Sequence, residues 1–221
     1  MLDRAFQTKL VLGLASEDGN HYPLQLQQAV FLLDHVLHKE KFSPSAISLA
    51  GDSAGAHLII SLLLHLSHPA PGVPPLSVSG KLSSAAFISP WIINPNSISA
   101  SLTSNADKDI IEKSAIEYWI SNFLGPLDTS VEQPWACPLT APQEWWADLA
   151  IGEIVVLYGQ NEVLRDDTAR FCEVLKTRHA QVTATEVEGE LHTHLILNRY
   201  LYINEPCESE RRYLEWYHRH A

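Results

Sequence analysis

A Gly-x-Ser-x-Gly pattern at residues 51–55 is the sharpest chemical signal in the sequence. Apolar spacing predicts a strand at Ala46–Ala50 directly before it and a helix at Ala54–Leu66 directly after it. A serine on such a strand-to-helix turn is held on a tight, strained bend, with its hydroxyl presented at the carboxyl end of the sheet. We therefore predict that Ser53 is a nucleophile.

The residues beside this serine fit the same interpretation. We expect positions 51 and 55 to require glycine because the bend brings backbone segments close together. The N-terminus of the following helix favours developing negative charge. The Ala54 N–H is therefore a candidate donor to the oxyanion that forms when a serine attacks a carbonyl group.

A serine nucleophile needs a base, and the base needs a carboxylate that orients it. On this type of sheet the chain order is serine, acid and then histidine. Glu162 follows a predicted strand at Ile154–Tyr158, and His192 follows another at Val182–Val187. Because the carboxyl ends of parallel strands share one edge of the sheet, we predict a triad of Ser53, Glu162 and His192.

Alternatives remain for the acid and for the base. Asp166 and Asp167 also follow the strand that precedes Glu162, but they read as first-turn helix residues, where carboxylates complement the helix dipole. His194 is the alternative base. His192 and His194 have the spacing of a metal pair, yet no further ligands stand at a suitable spacing. We therefore predict no metal and no organic cofactor.

The elements that must position these residues alternate along the chain. This alternation predicts the α/β class, with a mostly parallel sheet and helices on both faces. We expect residues 1–221 to form a single domain, in which about 91–150 is partly a cap or insertion over the sheet. The predicted strands are Lys9–Ala15, Ala46–Ala50, Ser83–Ser89, Ile154–Tyr158 and Val182–Val187. The predicted helices are Leu24–Lys39, Ala54–Leu66, Asp109–Leu124, Asp166–Arg178 and most of Leu195–His218, with a break at Pro206.

Composition excludes several classes of protein. With 221 residues, 46% of them hydrophobic, the chain can bury enough apolar surface to fold. A formal charge of -11 argues against nucleic acid or an anionic membrane surface as a partner. The three cysteines lack zinc or disulfide spacing, and the longest apolar stretch is too short to span a bilayer. No secretory signal is evident, so a cytoplasmic location is expected.

The sequence resembles the hormone-sensitive-lipase-like branch of the α/β-hydrolases, and most closely its fungal steryl acetyl hydrolase-like members. The likeness runs from about residue 10 to about 195. The stretches that carry it are Leu14–Glu17, Tyr22–Leu26, Gly51–Gly55, Ile88–Trp91, Pro138–Trp146, Glu162–Asp167 and Gly189–His192.

This resemblance implies Ser53 as nucleophile, Glu162 as acid and His192 as base. It implies hydrolysis of a carboxylic ester, often a short acyl group on a lipophilic small molecule such as a sterol or a fungal secondary metabolite. It also implies that Trp91, Trp145 and Trp146 lie near the substrate-facing or cap side, although plain core packing is an equally good interpretation.

One feature of the family is absent from the sequence. The family carries a His-Gly-Gly-Gly loop whose N–H groups supply most of the oxyanion hole, and no such stretch occurs here. By the resemblance the chain starts at the family's fourth strand, so we expect an N-terminally truncated fold. In it, either Lys9–Ala15 pairs directly with Ala46–Ala50 or another element fills the place between them. Loss of one oxyanion donor alone costs on the order of 100-fold to 1000-fold in rate. The alternatives are a truncated, catalytically impaired homologue with a binding role or no independent role, and acyl transfer or amide hydrolysis on the same triad.

Overall fold

The computed structural model describes residues 20–126 and 133–220. Its centre is a four-stranded parallel sheet with the strand order β1-β2-β3-β4. The strands are β1 (Ser48–Asp52), β2 (Leu82–Ile88), β3 (Ile151–Gly159) and β4 (Val182–Val187). The helices are α1 (Leu24–Asp34), α2 (Ala54–Ser67), α3 (Ser101–Ser104), α4 (Lys113–Leu124), α5 (Arg165–Arg178), α6 (His194–Tyr200) and α7 (Glu208–His220). The predicted strand Lys9–Ala15 lies outside the described residues.

Helices cover both faces of this sheet, as the sequence predicts. Alternate residues of a strand point to opposite faces. On β3, Ile154 and Val156 belong to a large apolar core shared with α1, α2 and α5. Val155 and Leu157 pack instead against Trp216 of α7 on the other face. The α/β prediction with a parallel sheet is therefore confirmed.

Several predicted boundaries differ from the structure, and two of these differences have a clear local reason. The strand predicted from Ala46 begins at Ser48, because Pro44–Ala46 forms a 3-10 turn. The helix predicted from Asp109 begins only at Lys113. The Asp109 side chain accepts a hydrogen bond from the N–H of Ile110 at 2.8 Å, and such local side-chain bonds compete with helix formation.

Among the described residues between positions 91 and 150, none belongs to a strand of the sheet. This segment contains α3, α4 and two 3-10 turns, at Pro138–Thr140 and Gln143–Ala147. Apolar side chains between Trp91 and Leu124 form a second cluster that includes Val163 and Leu164, from the connection between β3 and α5. Trp146 and Leu149, later in the segment, belong to the main core instead. The second cluster therefore lies next to the connection that follows β3. The division into one domain with a partial cap stays a prediction.

No helix in the described parts of the chain is both long and apolar enough to cross a bilayer. Cys137, Cys172 and Cys207 are free thiols. Burial raises the pKa of Cys137 and of Cys172 to about 12, so both thiols are held in the unreactive protonated form.

Candidate active site

Ser53 lies on the turn between β1 and α2, with φ 48° and ψ −113°. This backbone conformation is strained for any residue with a β-carbon. Hydrogen bonds to the end of β2 hold it in place. The Ser53 N–H donates to the carbonyl oxygen of Ile88 at 2.9 Å, and the Ser53 carbonyl accepts from the N–H of Trp91 at 3.1 Å.

The two glycines of the motif have different surroundings. A β-carbon at Gly51 would lie 2.6 Å from the carbonyl carbon of Gly55, closer than real contacts allow. The expectation of a close backbone approach is therefore confirmed at Gly51. A β-carbon at Gly55 would meet nothing within 4 Å in the described part of the chain, so there the expectation is wrong.

His192 links the serine to a buried carboxylate. Its Nε2 lies 2.9 Å from Ser53 Oγ, and its Nδ1 lies 3.2 Å from Glu162 Oε2. The side chains of His192 and Glu162 are buried, with Glu162 wholly inaccessible. This geometry fits a neutral imidazole that donates from Nδ1 to the carboxylate and accepts from the serine hydroxyl at Nε2.

Glu162 keeps its orientation through its second oxygen. Oε1 accepts hydrogen bonds from Ser89 Oγ at 2.7 Å and from the N–H of Gly159 at 2.5 Å. Ser89 Oγ in turn accepts from the N–H of Thr193 at 2.9 Å. One buried hydroxyl therefore connects the acid to the residue after the histidine.

The alternative acids face other partners. Asp166 accepts from Arg165 Nη2 at 2.7 Å and from the N–H of Ser101 at 2.9 Å. Burial raises the pKa of Asp166, but the Ser101 and Arg165 hydrogen bonds outweigh it and hold that pKa below the usual value. Asp167 accepts from Ser97 Oγ at 2.5 Å and from Asn94 Nδ2 at 3.2 Å. Neither carboxylate is paired with the histidine, and the structure places His192, rather than His194, between Glu162 and Ser53.

A pocket of about 370 Å³ opens above the serine. Its lining is mostly apolar, and the residues that form it with Ser53 and His192 are Asp52, Ala54, Trp91, Ile110, Ile111, Ile116, Trp119, Leu164 and Thr193. Trp91 therefore lies where a substrate-contacting residue is expected. Ala54 is the first residue of α2, a position whose N–H has no acceptor within its own helix.

The structure does not bring Trp145 and Trp146 to this pocket. The Trp145 ring stacks on His68, with ring centres 4.2 Å apart. Trp146 is buried against Phe171, with ring centres 5.3 Å apart, and lines a separate cavity of about 210 Å³. Both belong to the main apolar core, so the core-packing interpretation fits their observed positions.

Two polar residues near the triad were not predicted from the sequence. Ser89 stands in one of the stretches that carry the resemblance, but its type alone does not indicate a role. For Asp109, the sequence predicts the first residue of a helix. Its carboxylate instead accepts from the N–H groups of His192 and Val163. Only the folded chain shows these contacts, since the residues are 54 and 83 positions apart.

In the described residues, no group of three or more histidine, cysteine, aspartate or glutamate side chains could hold a metal ion. The chemistry of this site depends on Ser53, His192 and Glu162, which form one hydrogen-bonded series. What these three side chains can do chemically is transfer a proton from the serine hydroxyl to the imidazole.

Comparisons with known proteins agree with the fold. A search of curated proteins found no match. Among solved structures, a hormone-sensitive lipase from a metagenome library superposes with a TM-score of 0.72 at 19% identity, covering 91% of this chain and 63% of its own. An esterase from the bacterial hormone-sensitive lipase family gives 0.68 at 23% identity, covering 87% and 58%. An esterase/lipase from an uncultured bacterium gives 0.62 at 23% identity, covering 78% and 52%.

The chain thus spans between about half and two thirds of the length of these similar structures. At such low sequence identity, the superpositions show a shared fold and not a shared substrate. The family described as alpha/beta hydrolase fold matches residues 15–196, which include the serine turn, the acid and the histidine. The chain therefore belongs to the alpha/beta hydrolase fold family.

Proposed function

We propose that this protein is a serine hydrolase that cleaves a carboxylic ester through Ser53, His192 and Glu162. The observation that carries the proposal is the hydrogen-bonded series from Ser53 Oγ through the His192 ring to Glu162. The solved structures of esterases and lipases with the same fold support ester hydrolysis as the reaction class.

The proposed reaction has two stages. His192 Nε2 accepts the Ser53 proton as the hydroxyl oxygen attacks the ester carbonyl, and the imidazolium then protonates the departing alcohol. Glu162 stabilises the imidazolium and keeps the proton on Nδ1. In the second stage His192 activates a water molecule, which releases the acid from Ser53 and restores the enzyme.

We propose Ala54 N–H as a donor to the oxyanion at the start of α2. Each oxyanion donor contributes on the order of 100-fold to 1000-fold in rate. Because the sequence has no His-Gly-Gly-Gly stretch, the alternative is a catalytically impaired homologue that retains the serine turn. Turnover is the property that separates the two.

The substrate proposed is a small lipophilic ester. The apolar pocket wall formed by Ile110, Ile111, Ile116, Trp119 and Leu164 favours an uncharged, hydrophobic group next to Ser53. A short acyl group on a lipophilic alcohol fits this lining. An acetylated sterol or a fungal secondary metabolite is a narrower proposal that rests on the sequence resemblance alone.

The experiment compares p-nitrophenyl acetate hydrolysis by the wild-type protein and by Ser53→Ala. Ser84→Ala serves as the matched control, since Ser84 is a buried serine of β2 that bonds to Ser48. We expect Ser53→Ala alone to abolish turnover. Equal rates for the wild type and Ser53→Ala would contradict ester hydrolysis. Labelling of Ser53 by a fluorophosphonate probe without turnover would favour the impaired homologue.

A further inference from the structure

The Asp109 carboxylate accepts hydrogen bonds from three backbone N–H groups. Oδ1 accepts from Ile110 at 2.8 Å and from His192 at 3.0 Å. Oδ2 accepts from Val163 at 2.8 Å. Charge-assisted hydrogen bonds of this kind are stronger than those between neutral groups. The three N–H groups lie in three separate connections of the fold. Ile110 lies between α3 and α4, Val163 between β3 and α5, and His192 between β4 and α6.

Each of these connections contributes to the candidate active site. Val163 directly follows the acid, His192 is the base itself, and Ile110 forms part of the pocket wall. We call the β3–α5 segment that carries Glu162 the acid connection, and the β4–α6 segment that carries His192 the histidine connection. Through its two oxygens, the Asp109 carboxylate joins both connections to the pocket wall.

The hydrogen bonds of the sheet do not fix the positions of Glu162 and His192 relative to each other. β3 ends at Gly159 and β4 ends at Val187, before either catalytic candidate. The two connections still meet directly where the Asn161 N–H donates to the Glu190 carbonyl at 2.9 Å. Past that point their backbones are joined through the Asp109 side chain.

Ser101 and Asn105, which lie close to Asp109 in the sequence, hold only the acid connection. Asn105 Nδ2 donates to the carbonyl oxygens of Gln160 at 3.0 Å and Glu162 at 2.8 Å. Ser101 Oγ donates to the carbonyl of Val163 at 2.8 Å. These contacts fasten the acid connection, whereas Asp109 also reaches the histidine.

We propose that Asp109 is a positioning residue for the hydrolysis proposed above, and this inference rests on that function. It sets the distance between the His192 ring and Glu162, and it ties both to the pocket wall at Ile110. It touches neither Ser53 nor the bond that is broken. A misplacement of about 1 Å in such a geometry costs on the order of 100-fold in rate.

The test compares Asp109→Ala with Asp107→Ala, an exposed aspartate on the same irregular stretch. We expect Asp109→Ala to lower kcat for p-nitrophenyl acetate about 100-fold while KM changes little. Asp109→Asn keeps one acceptor oxygen and should lose less. Asp107→Ala should behave as the wild type. A wild-type kcat in Asp109→Ala would overturn the proposal.

A second readout does not require turnover. The ¹⁵N chemical shifts of the His192 ring at pH 8 report which nitrogen carries the proton. We expect the proton on Nδ1 in the wild type and in Asp107→Ala, and a mixture of both forms in Asp109→Ala. An unchanged ring signature, with kcat falling only as folded protein is lost, would also overturn the proposal.

The two readouts separate the inference from the function on which it rests. If the wild type and Ser53→Ala hydrolyse the ester equally, the proposed hydrolysis is wrong. The His192 ring then still decides the role of Asp109, since its proton either moves in Asp109→Ala or stays on Nδ1. Should Asp109→Ala not fold, Asp109→Asn gives the same comparison in a side chain of the same shape.

Discussion

The backbone of Gly55 closes against Gly51 so tightly that a β-carbon on Gly51 would lie 2.6 Å from the Gly55 carbonyl carbon and 2.7 Å from its oxygen. The contact is one-sided, because a β-carbon on Gly55 has open space around it in the described part of the chain. The strained Ser53 conformation lies between these two glycines. The first glycine therefore sets the shape of the turn.

Gly51→Ala should disturb this turn, whereas Gly55→Ala should not. In Gly51→Ala the new methyl group meets backbone atoms that cannot rotate away, so we expect a loss of about 1–3 kcal/mol in the free energy of unfolding. Displacement of Ser53 should also lower ester turnover. Gly55→Ala lies in helix α2 and should gain up to about 1 kcal/mol. Urea unfolding and p-nitrophenyl acetate turnover measure both effects, and equal behaviour of the two variants would contradict this account.

Glu162→Gln should remove the carboxylate that orients His192. The amide places an N–H₂ group among groups that donate to Glu162, namely Ser89 Oγ and the N–H of Gly159. The proton on His192 Nδ1 then loses its charged partner, and we expect kcat to fall on the order of 10⁴-fold. Steady-state kinetics measure this fall.

Glu153→Gln is the matched control for that variant. Glu153 lies on the same strand, β3, but pairs with Arg219 and His220 of α7. Its replacement should leave kcat unchanged and should affect stability only slightly, since ion pairs that remain accessible to solvent contribute little. A comparable loss of kcat in both variants would show that Glu162 acts through general stability.

Ser89→Ala should loosen the acid and the histidine connection together. It removes the 2.7 Å donor to Glu162 and leaves the Thr193 N–H without its acceptor. A buried donor left unpaired costs about 1–3 kcal/mol. We therefore expect both a lower melting temperature and a lower kcat. Ser84→Ala, on the same strand but bonded to Ser48, should lower stability at most and leave kcat per folded molecule intact.

His57 should make the protein less stable in acid. Burial lowers its pKa from 6.5 to about 3, so the folded state excludes a proton that the unfolded state binds below pH 6.5. The stabilisation is present above pH 6.5 and is lost as the pH falls toward 3. Well below pH 6.5 the loss amounts to about 1.4 kcal/mol per pH unit for one such group.

The measurement is the free energy of unfolding between pH 7 and pH 4 for the wild type and for His57→Gln, which does not titrate. We expect a shallower acid dependence in the variant. His38→Gln, which replaces an exposed histidine of the π-helical segment after α1 (His35–Lys39), should keep the wild-type slope. Matching slopes for the wild type and His57→Gln would show that His57 does not contribute to acid sensitivity.

The sequence alone was sufficient for the fold class and for the three candidate catalytic residues. This works because β1, β3 and β4 are parallel, so the turns that carry Ser53, Glu162 and His192 leave the sheet at one edge. Residues that directly follow different parallel strands therefore lie close together in space. The glycine pattern around the serine is local, and it can be recognised without any tertiary contact.

The surrounding residues that belong to the site are determined by the folding of the chain and not by its local sequence pattern. Trp91, Trp145 and Trp146 are equivalent as residue types, yet Trp91 alone of the three lines the pocket. Asp109 has the sequence signature of a helix start, but folding carries its carboxylate to the N–H groups of Val163 and His192. Such contacts depend on how segments that are far apart in the sequence pack above the sheet. Neither helical nor strand periodicity predicts that packing.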